Sequence, residues 1–337
     1  MSTIPIYPQN GCFRVNCWEM RQISFLPILL FVLAASVYAQ GGFAGRWDMT
    51  VTPQSGDPYP QWMEITQKDG KLEGRFQPGG GAWRPLVGVK VDGAQLIVTL
   101  AAPQNGPATT WELAHITANG YRLEGVEKRG EAAGARIVAV RAPELKRPMP
   151  NAWTDSVPIF NGKDLTGWEP IGNVENSKWV ARGGELVNDN PVVAGQHGSG
   201  AANLKTTQKW QDFKVHFEVN CPEHGNSGFY LRGRYEIQIG TEGGQIPSHE
   251  MGAVYSHFAP AGNIGNKLGE WTSFDVTFVG RYLTVFRDGV KIHDNVEIPG
   301  PTGGALDSDE SEPGPFFLQG DHQGVVRYRN ITIQVPK

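Results

Sequence analysis

Short runs in which apolar and polar residues alternate fill residues 45–141. Trp47, Met49 and Val51 open the series, and runs of similar length follow. Turn pairs separate several of the runs: Asp69-Gly70, Asp92-Gly93 and Asn119-Gly120. Asn or Asp followed by Gly accepts the positive φ that a two-residue hairpin turn requires. About eight strands joined by successive hairpins predict a small meander β-barrel or sandwich.

A proline-rich stretch follows this series, at residues 142–150. Proline removes ladder donors and stiffens the chain, so we expect an exposed linker there. Strand-like runs resume after it and continue to about Val335, a length suited to a two-sheet jelly roll. Residues 204–210 are the one stretch of this half that we expect to be helical. The predicted fold class is all-β, a small meander barrel or sandwich followed by a two-sheet jelly roll.

These boundaries divide the chain into four parts. They are an N-terminal extension with a signal peptide at 1–39, a small β-barrel-like domain at 43–142, a Pro-rich linker at 143–152 and a jelly-roll domain at 153–337. Each half has its own strands and aromatic core residues, so we expect a fragment that begins near Asn151 to fold alone.

An apolar stretch at residues 25–33 follows Arg21 and leads to small residues that end at Ala39. A basic start, a short apolar core and a small-residue cleavage site are typical of a secretory signal peptide. The stretch is shorter than the roughly 20 apolar residues of a membrane span, so we expect no stable span in the mature chain. We expect export to the periplasm or the extracellular space, with cleavage near Ala39. An N-terminal anchor helix, and a start at either Met1 or Met20, remain open.

Cys12 and Cys17 precede this signal, which leaves Cys221 as the single cysteine of the expected mature chain. A single cysteine forms no intrachain disulfide, and we expect it to be buried and inert. The balance of 30 Lys and Arg against 34 Asp and Glu gives a net charge of −4. Phosphate binding needs clustered basic residues, so we expect no nucleic-acid partner. Neither a Gly-x-Ser-x-Gly elbow nor a phosphate-binding P-loop occurs in the sequence, which argues against serine esterase and nucleotide chemistry.

Ordered sequence blocks across the second half carry a resemblance to a known family. They lie at residues 159–168, 179–186, 212–218, 226–232, 235–239, 269–271, 288–289, 300–302, 318–322 and 328–331. With these blocks, residues 155–335 resemble the 3-keto-disaccharide hydrolase domain family, formerly called DUF1080. The resemblance implies a concanavalin-like two-sheet jelly roll that acts on glycosides whose glucose unit is oxidised at C3. The first domain is not covered by it.

Alternation within two of these blocks predicts a polar sheet face. Tyr230 and Arg232 share one face of the first run, and Glu236 and Gln238 share one face of the second. A tight turn at Gly233 would place both pairs side by side. Such a face is either ordinary solvent-facing decoration or the lining of a sugar groove. The family resemblance favours the groove, with Arg232, Glu236 and Gln238 within reach of one another.

The chemistry implied by a 3-keto sugar needs one base, one oxyanion donor and one acid. A ketone at C3 acidifies the C2 proton, so the C1 aglycone can leave by elimination and water can then add. Four candidates would carry the catalytic steps: His322 or Glu236 for proton transfer, and Arg232 or Lys267 for the oxyanion. Six candidates would bind the substrate: Gln238, Tyr230, Trp271, His257, Glu270 and Asp321.

Two other classes of function remain open. A non-catalytic carbohydrate-binding protein would use the same groove without a base, whereas a hydrolase of unoxidised glucan would need paired carboxylates across it. The expected partner in every case is a small carbohydrate. The sequence points to no definite cofactor. A divalent metal stays open because Asp307, Asp309, Glu310 and Glu312 offer oxygen ligands, although without the spacing of a known loop.

Overall fold

A computed structural model of the chain describes residues 42–337 except 105, 118, 194–197, 242–245 and 263. The expected signal peptide, its cleavage site, Cys12 and Cys17 lie outside the described residues. Residues 43–337 form one unit.

The first domain is a β-meander that closes on itself. Its strands are β1 (Gly45–Thr52), β2 (Tyr59–Lys68), β3 (Lys71–Gln77), β4 (Arg84–Pro85), β5 (Gly88–Asp92), β6 (Gln95–Thr99), β7 (Thr109–His115), β8 (Arg122–Arg129) and β9 (Ala132–Arg141). They form one sheet in the order β4-β3-β2-β1-β9-β8-β7-β6-β5. The short connection between β4 and β5 bonds to β3 on one side and to β6 on the other, because Leu86 N–H donates to Gly74 O and Val87 N–H donates to Thr99 O. The sheet therefore closes as a small barrel, as the alternating pattern predicted.

Local sequence explains the barrel's turns and its interior. The two residues between β2 and β3 both have positive φ, 50° at Asp69 and 76° at Gly70, as the hairpin signal predicted. Alternate residues of β1 point inward, and Trp47, Met49 and Val51 are at most 1% exposed. The same alternation fills the barrel with large side chains from the other strands: Met63, Ile65, Phe76, Leu96, Val98, Trp111, Leu113, Leu123 and Ile137.

The second domain consists of two packed antiparallel sheets. Its elements are β10 (Val157–Pro158), β11 (Trp168–Ile171), a 3₁₀ helix (Val174–Asn176), β12 (Trp179–Arg182), β13 (Glu185–Asn188), β14 (Asn203–Thr206), β15 (Phe213–Asn220), β16 (Asn226–Leu231), β17 (Tyr235–Gly240), a 3₁₀ helix (Pro247–His249), β18 (Trp271–Val279), β19 (Tyr282–Arg287), β20 (Val290–Glu297), β21 (Phe317–Leu318) and β22 (Val326–Gln334). The larger sheet has the order β12-β13-β22-β15-β18-β19-β20, with β10 on β22, and the smaller has the order β11-β14-β21-β16-β17. The predicted fold class, a small barrel followed by a two-sheet jelly roll, is confirmed.

Aromatic stacking joins the two sheets of the jelly roll. The ring of Phe217 on the larger sheet lies 4.0 Å from that of Phe229 on the smaller sheet, and the two rings are parallel within 1°. Four alternate residues of β16 and β17 face this core, as predicted: Phe229, Leu231, Ile237 and Ile239. Cys221 is buried as predicted, and burial raises the pKa of its thiol to about 12. Since successive side chains of a strand alternate, Tyr230, Glu236 and Gln238 lie on the outer face of the smaller sheet.

One expectation about backbone structure is wrong. Residues 203–206 are a strand rather than part of a helix, and Leu204 and Thr206 are buried while their neighbours are half-buried. The proline-rich stretch is exposed at Glu144, Lys146, Pro148 and Met149, whereas Leu145 is buried and its carbonyl accepts the N–H of Arg281. Arg147 in the same stretch lies 3.1 Å from Asp212. The stretch is therefore packed onto the second domain by one apolar side chain and by its own carbonyls. Whether residues 151–337 fold alone stays a prediction.

Candidate functional site

A row of paired residues crosses the outer face of the smaller sheet. Glu169 on β11 pairs with Lys205 on β14, Lys205 with Phe317 on β21, Phe317 with Tyr230 on β16, and Tyr230 with Glu236 on β17. Directly opposed residues of antiparallel strands have their Cβ atoms about 5 Å apart on the same face. The five side chains therefore form one continuous strip, which we call the sheet strip.

A hydrogen-bond chain runs through Glu236, Tyr230 and the backbone of Gly303. The phenol oxygen of Tyr230 lies 2.8 Å from Glu236 Oε2 and 2.8 Å from Gly303 O. A phenol has one proton, and a carbonyl oxygen only accepts. A Glu236 carboxylate would therefore compete with Gly303 O for that single proton. Both contacts are full hydrogen bonds when Glu236 carries a proton and donates it to the phenol oxygen.

Burial favours the same protonation state. Glu236 is 3% exposed and Tyr230 is 1% exposed, and removal from water disfavours the charged form of both groups. Burial is the main cause that holds the pKa of Tyr230 well above its usual range, so the phenol keeps its proton. The pair thus has the geometry of a neutral carboxylic acid held by a neutral phenol.

Neighbouring positions make room for this carboxyl group and extend the polar face. A Cβ at Gly228 would collide with Glu236 Oε1 and lie 2.8 Å from Tyr230 Cε2, so only glycine leaves space for the pair. Gly228 is itself opposite Gln238, whose Nε2 donates to Asn226 Oδ1 over 2.8 Å. The amide side chains of Gln238 and Asn226 therefore extend the polar face beyond the sheet strip, along β16 and β17.

Asp321 and His322 stand at one end of this face. Asn203 Oδ1 accepts the N–H groups of Gly320 and Asp321, which fixes the loop onto β14. His322 Nδ1 lies 2.9 Å from Asp321 Oδ1, and about a third of the imidazole is exposed. If Nδ1 donates to Asp321, then Nε2 is the nitrogen that takes up a proton. The charge of Asp321 contributes to the raised pKa of Tyr230, so its carboxylate acts on the sheet strip.

Arg232 does not share this face, and the expectation that it does is wrong. Strand β16 ends at Leu231, and Arg232 lies in the hairpin turn with φ of 52°. Its guanidinium lies 4.7 Å from the ring centre of Phe278 and 5.2 Å from that of Tyr235, both of which face the core. The left-handed residue breaks the alternation by one position. Arg232 is thus fully buried on the other side of the hairpin from Glu236.

Lys267, Glu270 and Trp271 lie elsewhere as well. Trp271 begins β18 on the outer face of the larger sheet, with the guanidinium of Arg329 at 3.9 Å from its ring centre. Lys267 Nζ lies 3.2 Å from Asp288 Oδ2, in the turn between β19 and β20. Glu270 is exposed immediately before Trp271. The structure does not bring these three residues to the sheet strip.

His257 lies against the first domain rather than in an open loop. Its ring centre is 5.9 Å from that of Trp62 on β2, and the backbone of Gly300 and Pro301 faces its nitrogens. Burial, with a smaller contribution from the charge of Arg75, lowers the pKa of His257 to about 4. The imidazole is therefore neutral at neutral pH.

Lys205 is a candidate that the sequence analysis missed. Its ammonium is 30% exposed and lies 3.1 Å from Glu169 Oε1. The sequence signal is the alternation of Asn203, Leu204, Lys205 and Thr206, which the helical interpretation of 204–210 obscured. Lys205 supplies a cation to the strip from which Arg232 is absent.

Two of the four acidic side chains considered as metal ligands, Asp307 and Glu310, are bonded to protein groups. Arg281 Nη1 lies 2.7 Å from Glu310 Oε2, and Tyr235 donates to Glu310 Oε1 over 2.6 Å. Arg234 Nε lies 2.5 Å from Asp307 Oδ1. Within the described parts of the chain, no three or more His, Cys, Asp or Glu side chains are grouped so as to hold a metal ion. The same residues contain no helix with the length and apolar character needed to cross a membrane.

The second domain is thus an all-β jelly roll with a strip of polar and aromatic side chains on its smaller sheet. A family model described as the 3-keto-alpha-glucoside-1,2-lyase-like domain matches residues 155–334, more than half of the sequence, and the chain belongs to this family. The resemblance inferred from the sequence blocks is confirmed.

Three solved structures are each similar to part of the chain. A proposed glycosyl hydrolase from Parabacteroides distasonis is 26% identical, with a TM-score of 0.44, over 56% of this chain and 93% of that one. The carbohydrate-binding module CBM66 from Bacillus subtilis is 12% identical, with a TM-score of 0.31, over 51% and 97%. A non-specific endo-β-1,3(4)-glucanase of family GH16 is 9% identical, with a TM-score of 0.33, over 57% and 94%. A search of curated proteins finds no match.

Proposed function

We propose that the chain is an exported enzyme that cleaves 3-keto-glycosides by elimination and hydration. Family membership supports the substrate class, and a signal-like sequence at 1–39 supports export. The observation that carries the proposal is the Glu236–Tyr230–Gly303 chain, because a carboxylic acid kept neutral by burial is suited to protonate a leaving alkoxide.

The reaction divides into three balanced steps. A base removes the proton at C2, and the electron pair moves onto the C3 oxygen as an enolate. The enolate then re-forms the C3 carbonyl, a C1–C2 double bond forms, and the C1–O bond breaks. The departing aglycone oxygen takes a proton from the acid. Water finally adds across C1 and C2 and returns the 3-keto sugar.

Residues around the sheet strip can be assigned to these roles. His322, oriented by Asp321, would take the C2 proton, and Glu236 would give its proton to the aglycone. Lys205 would hold the enolate oxygen, since a positioned cation stabilises charge that develops in the transition state. Tyr230 would keep Glu236 in place, and Gln238 would bind a sugar hydroxyl. Lys205 thus takes the role that we expected of Arg232 or Lys267.

The test uses the mature chain with 3-keto-trehalose and with a 3-keto aryl glucoside, each beside its unoxidised counterpart, with and without EDTA. We expect aglycone release from the oxidised substrates alone. In heavy water, deuterium should appear at C2 of the released sugar, because the elimination breaks the C2–H bond. Glucose release from an unoxidised glucan would instead indicate ordinary hydrolysis. Saturable sugar binding without any product would indicate a binding protein.

A further inference from the structure

Residues 300–304 of the second domain are held between the first domain and the Tyr230–Glu236 pair. On one side, the buried Trp62 Nε1 donates to Pro301 O over 2.8 Å, and Gly304 N–H donates to Gly79 O over 2.9 Å. Trp62 can make this contact because it is next to Met63 on β2, so the two side chains point to opposite faces of the barrel wall.

At two positions of residues 300–304, the chain lies too close to the first domain to accommodate a side chain. A Cβ at Gly300 would lie 2.5 Å from Trp62 Nε1, and a Cβ at Gly303 would collide with Gly81 O. The backbone of the segment is therefore packed directly against the barrel. A movement of the barrel wall would therefore displace residues 300–304, and a movement of residues 300–304 would displace the barrel wall.

The opposite side of the same segment binds the candidate acid. Thr302 Oγ1 accepts the backbone N–H of Glu236 over 2.9 Å. Gly303 O lies 2.8 Å from the phenol oxygen of Tyr230. Three consecutive residues, Pro301 to Gly303, thus link an indole of the first domain to the backbone and to the side-chain partner of Glu236.

Two further contacts hold the barrel in this place. Arg46 Nη2 lies 2.7 Å from Glu297 Oε1, and its Nη1 donates to Pro299 O over 2.9 Å. Trp83 Nε1 donates to Ser256 O over 2.9 Å, next to Tyr255, whose N–H donates to Glu236 O. The first domain therefore supports both chain segments that flank Glu236.

We propose that the first domain is a positioning element of the candidate site, which holds Gly303 O where it accepts the Tyr230 proton and thereby keeps Glu236 protonated. The inference rests on the proposed function. With the phenol proton committed to Gly303, the phenol oxygen can only accept from Glu236, which favours the carboxylic acid. If Gly303 O moved away, the phenol would donate to Glu236 instead, and this hydrogen bond would stabilise the carboxylate.

The groups around Glu236 agree with this direction. Acids and phenols act on the pair from several elements: Tyr255 beside β17, Asp321 after β21 and Tyr328 on β22. A negative charge on any of these groups disfavours a second one on Glu236, and the imidazole of His322 is paired with Asp321. The cation of the sheet strip, Lys205, is three strands away and is paired with Glu169.

The decisive variant is Trp62→Phe, which removes the indole N–H to Pro301 and keeps an aromatic ring. Trp47→Phe is its matched control, since Trp47 Nε1 donates to Phe43 O over 2.9 Å within the first domain. Infrared spectra of the full mature chain report the carboxylic acid band of Glu236, assigned by its loss in Glu236→Gln. We expect the pH at which this band disappears to fall by about one unit in Trp62→Phe, a tenfold change in the protonation equilibrium, and to stay unchanged in Trp47→Phe.

A second variant covers the case in which Trp62→Phe does not fold. Arg46→Met removes the partly exposed ion pair and the bond to Pro299. Arg136→Met is its control, because Arg136 pairs with Glu124 of the same domain on the outer surface of the barrel. We expect a smaller shift in the same direction from Arg46→Met alone. A wild-type band absent at neutral pH, or a midpoint that neither Trp62→Phe nor Arg46→Met moves, would overturn the proposal. The band requires no substrate, so its shift without any cleavage of 3-keto-glycosides would reject the proposed function and leave the positioning role standing.

Discussion

Tyr230 and Glu236 are directly opposed on β16 and β17, and the phenol oxygen of one lies 2.8 Å from the carboxyl of the other. The pairing follows from strand register, because residues that face each other across an antiparallel ladder present neighbouring side chains. What distinguishes this pair is that Gly303 O lies at the same distance from the phenol. Protonation of Glu236 is therefore coupled to the position of a backbone segment outside the sheet.

Glu236→Gln tests the role of the acid. The amide can still donate to Tyr230, so we expect the melting temperature to stay within a few degrees while kcat/KM falls by about 10² to 10⁴. The loss should be large for a poor leaving group such as the glucose of 3-keto-trehalose and small for a nitrophenolate. Equal losses on both substrates would exclude leaving-group protonation. Glu218→Gln, on the outer face of the larger sheet, is the control.

His322→Ala tests the base. We expect kcat/KM to fall by about 10² to 10⁴, and exchange of the C2 hydrogen in heavy water to be lost with it. In the wild type, kcat/KM should rise with pH through the pKa of the base, and this limb should disappear in the variant. Asp321→Asn should keep the limb and displace it, since Asp321 contacts Nδ1. If His322→Ala retains more than about half of the wild-type kcat/KM, His322 does not carry the proton.

Lys205→Met tests the oxyanion assignment. Removal of one positioned donor typically lowers kcat by about 10² to 10³. We expect a loss of this size on 3-keto substrates, without loss of folding, because the ammonium is partly exposed and its partner Glu169 faces solvent. Lys267→Met is the matched control and should change kcat by less than about twofold. The opposite ranking of the two lysines would return the role to Lys267.

Alternation along the strands was enough to predict the barrel, the two-sheet fold and the face shared by Tyr230, Glu236 and Gln238. The prediction from alternation failed at Arg232, because this residue has a left-handed backbone conformation that ends the alternation of the strand. Nothing in the local sequence indicates that conformation. The contact between Trp62 and Pro301 could not be predicted from the sequence either. Hydrophobic patterns describe each domain separately and carry no information on which outward residue of one domain meets the other.

Because His257 is buried and its pKa is lowered, we expect the folded protein to lose stability in acid. Its pKa is lowered to about 4 in the folded chain, mainly by burial, whereas an unfolded histidine titrates near 6.5. Between these values the unfolded state binds the proton and the folded state does not, so the free energy of unfolding should fall as the pH drops below 6.5, by about 2 kcal/mol at pH 5. His257→Gln should flatten this part of the profile relative to the exposed control His224→Gln. Parallel profiles in urea denaturation of wild type and His257→Gln would contradict the assignment.

For Asp48, which lies near Glu310 of the second domain, we expect the opposite dependence of stability on pH. Asp48 on β1 is 3% exposed, and burial followed by the charge of Glu310 holds its pKa well above the usual range of a carboxyl. Glu310 is also bonded by Arg281 and Tyr235. A carboxyl whose folded pKa is raised contributes stability that is fully present below its unfolded pKa and is lost as the pH rises through the folded value.

Asp48→Asn reproduces the neutral form at every pH, so the melting temperature of the variant relative to wild type should rise steadily from pH 4 to pH 9. Asp57→Asn, at an exposed position of the barrel, should show no such trend, and a constant difference between Asp48→Asn and wild type would mean that Asp48 is ionised in the folded protein.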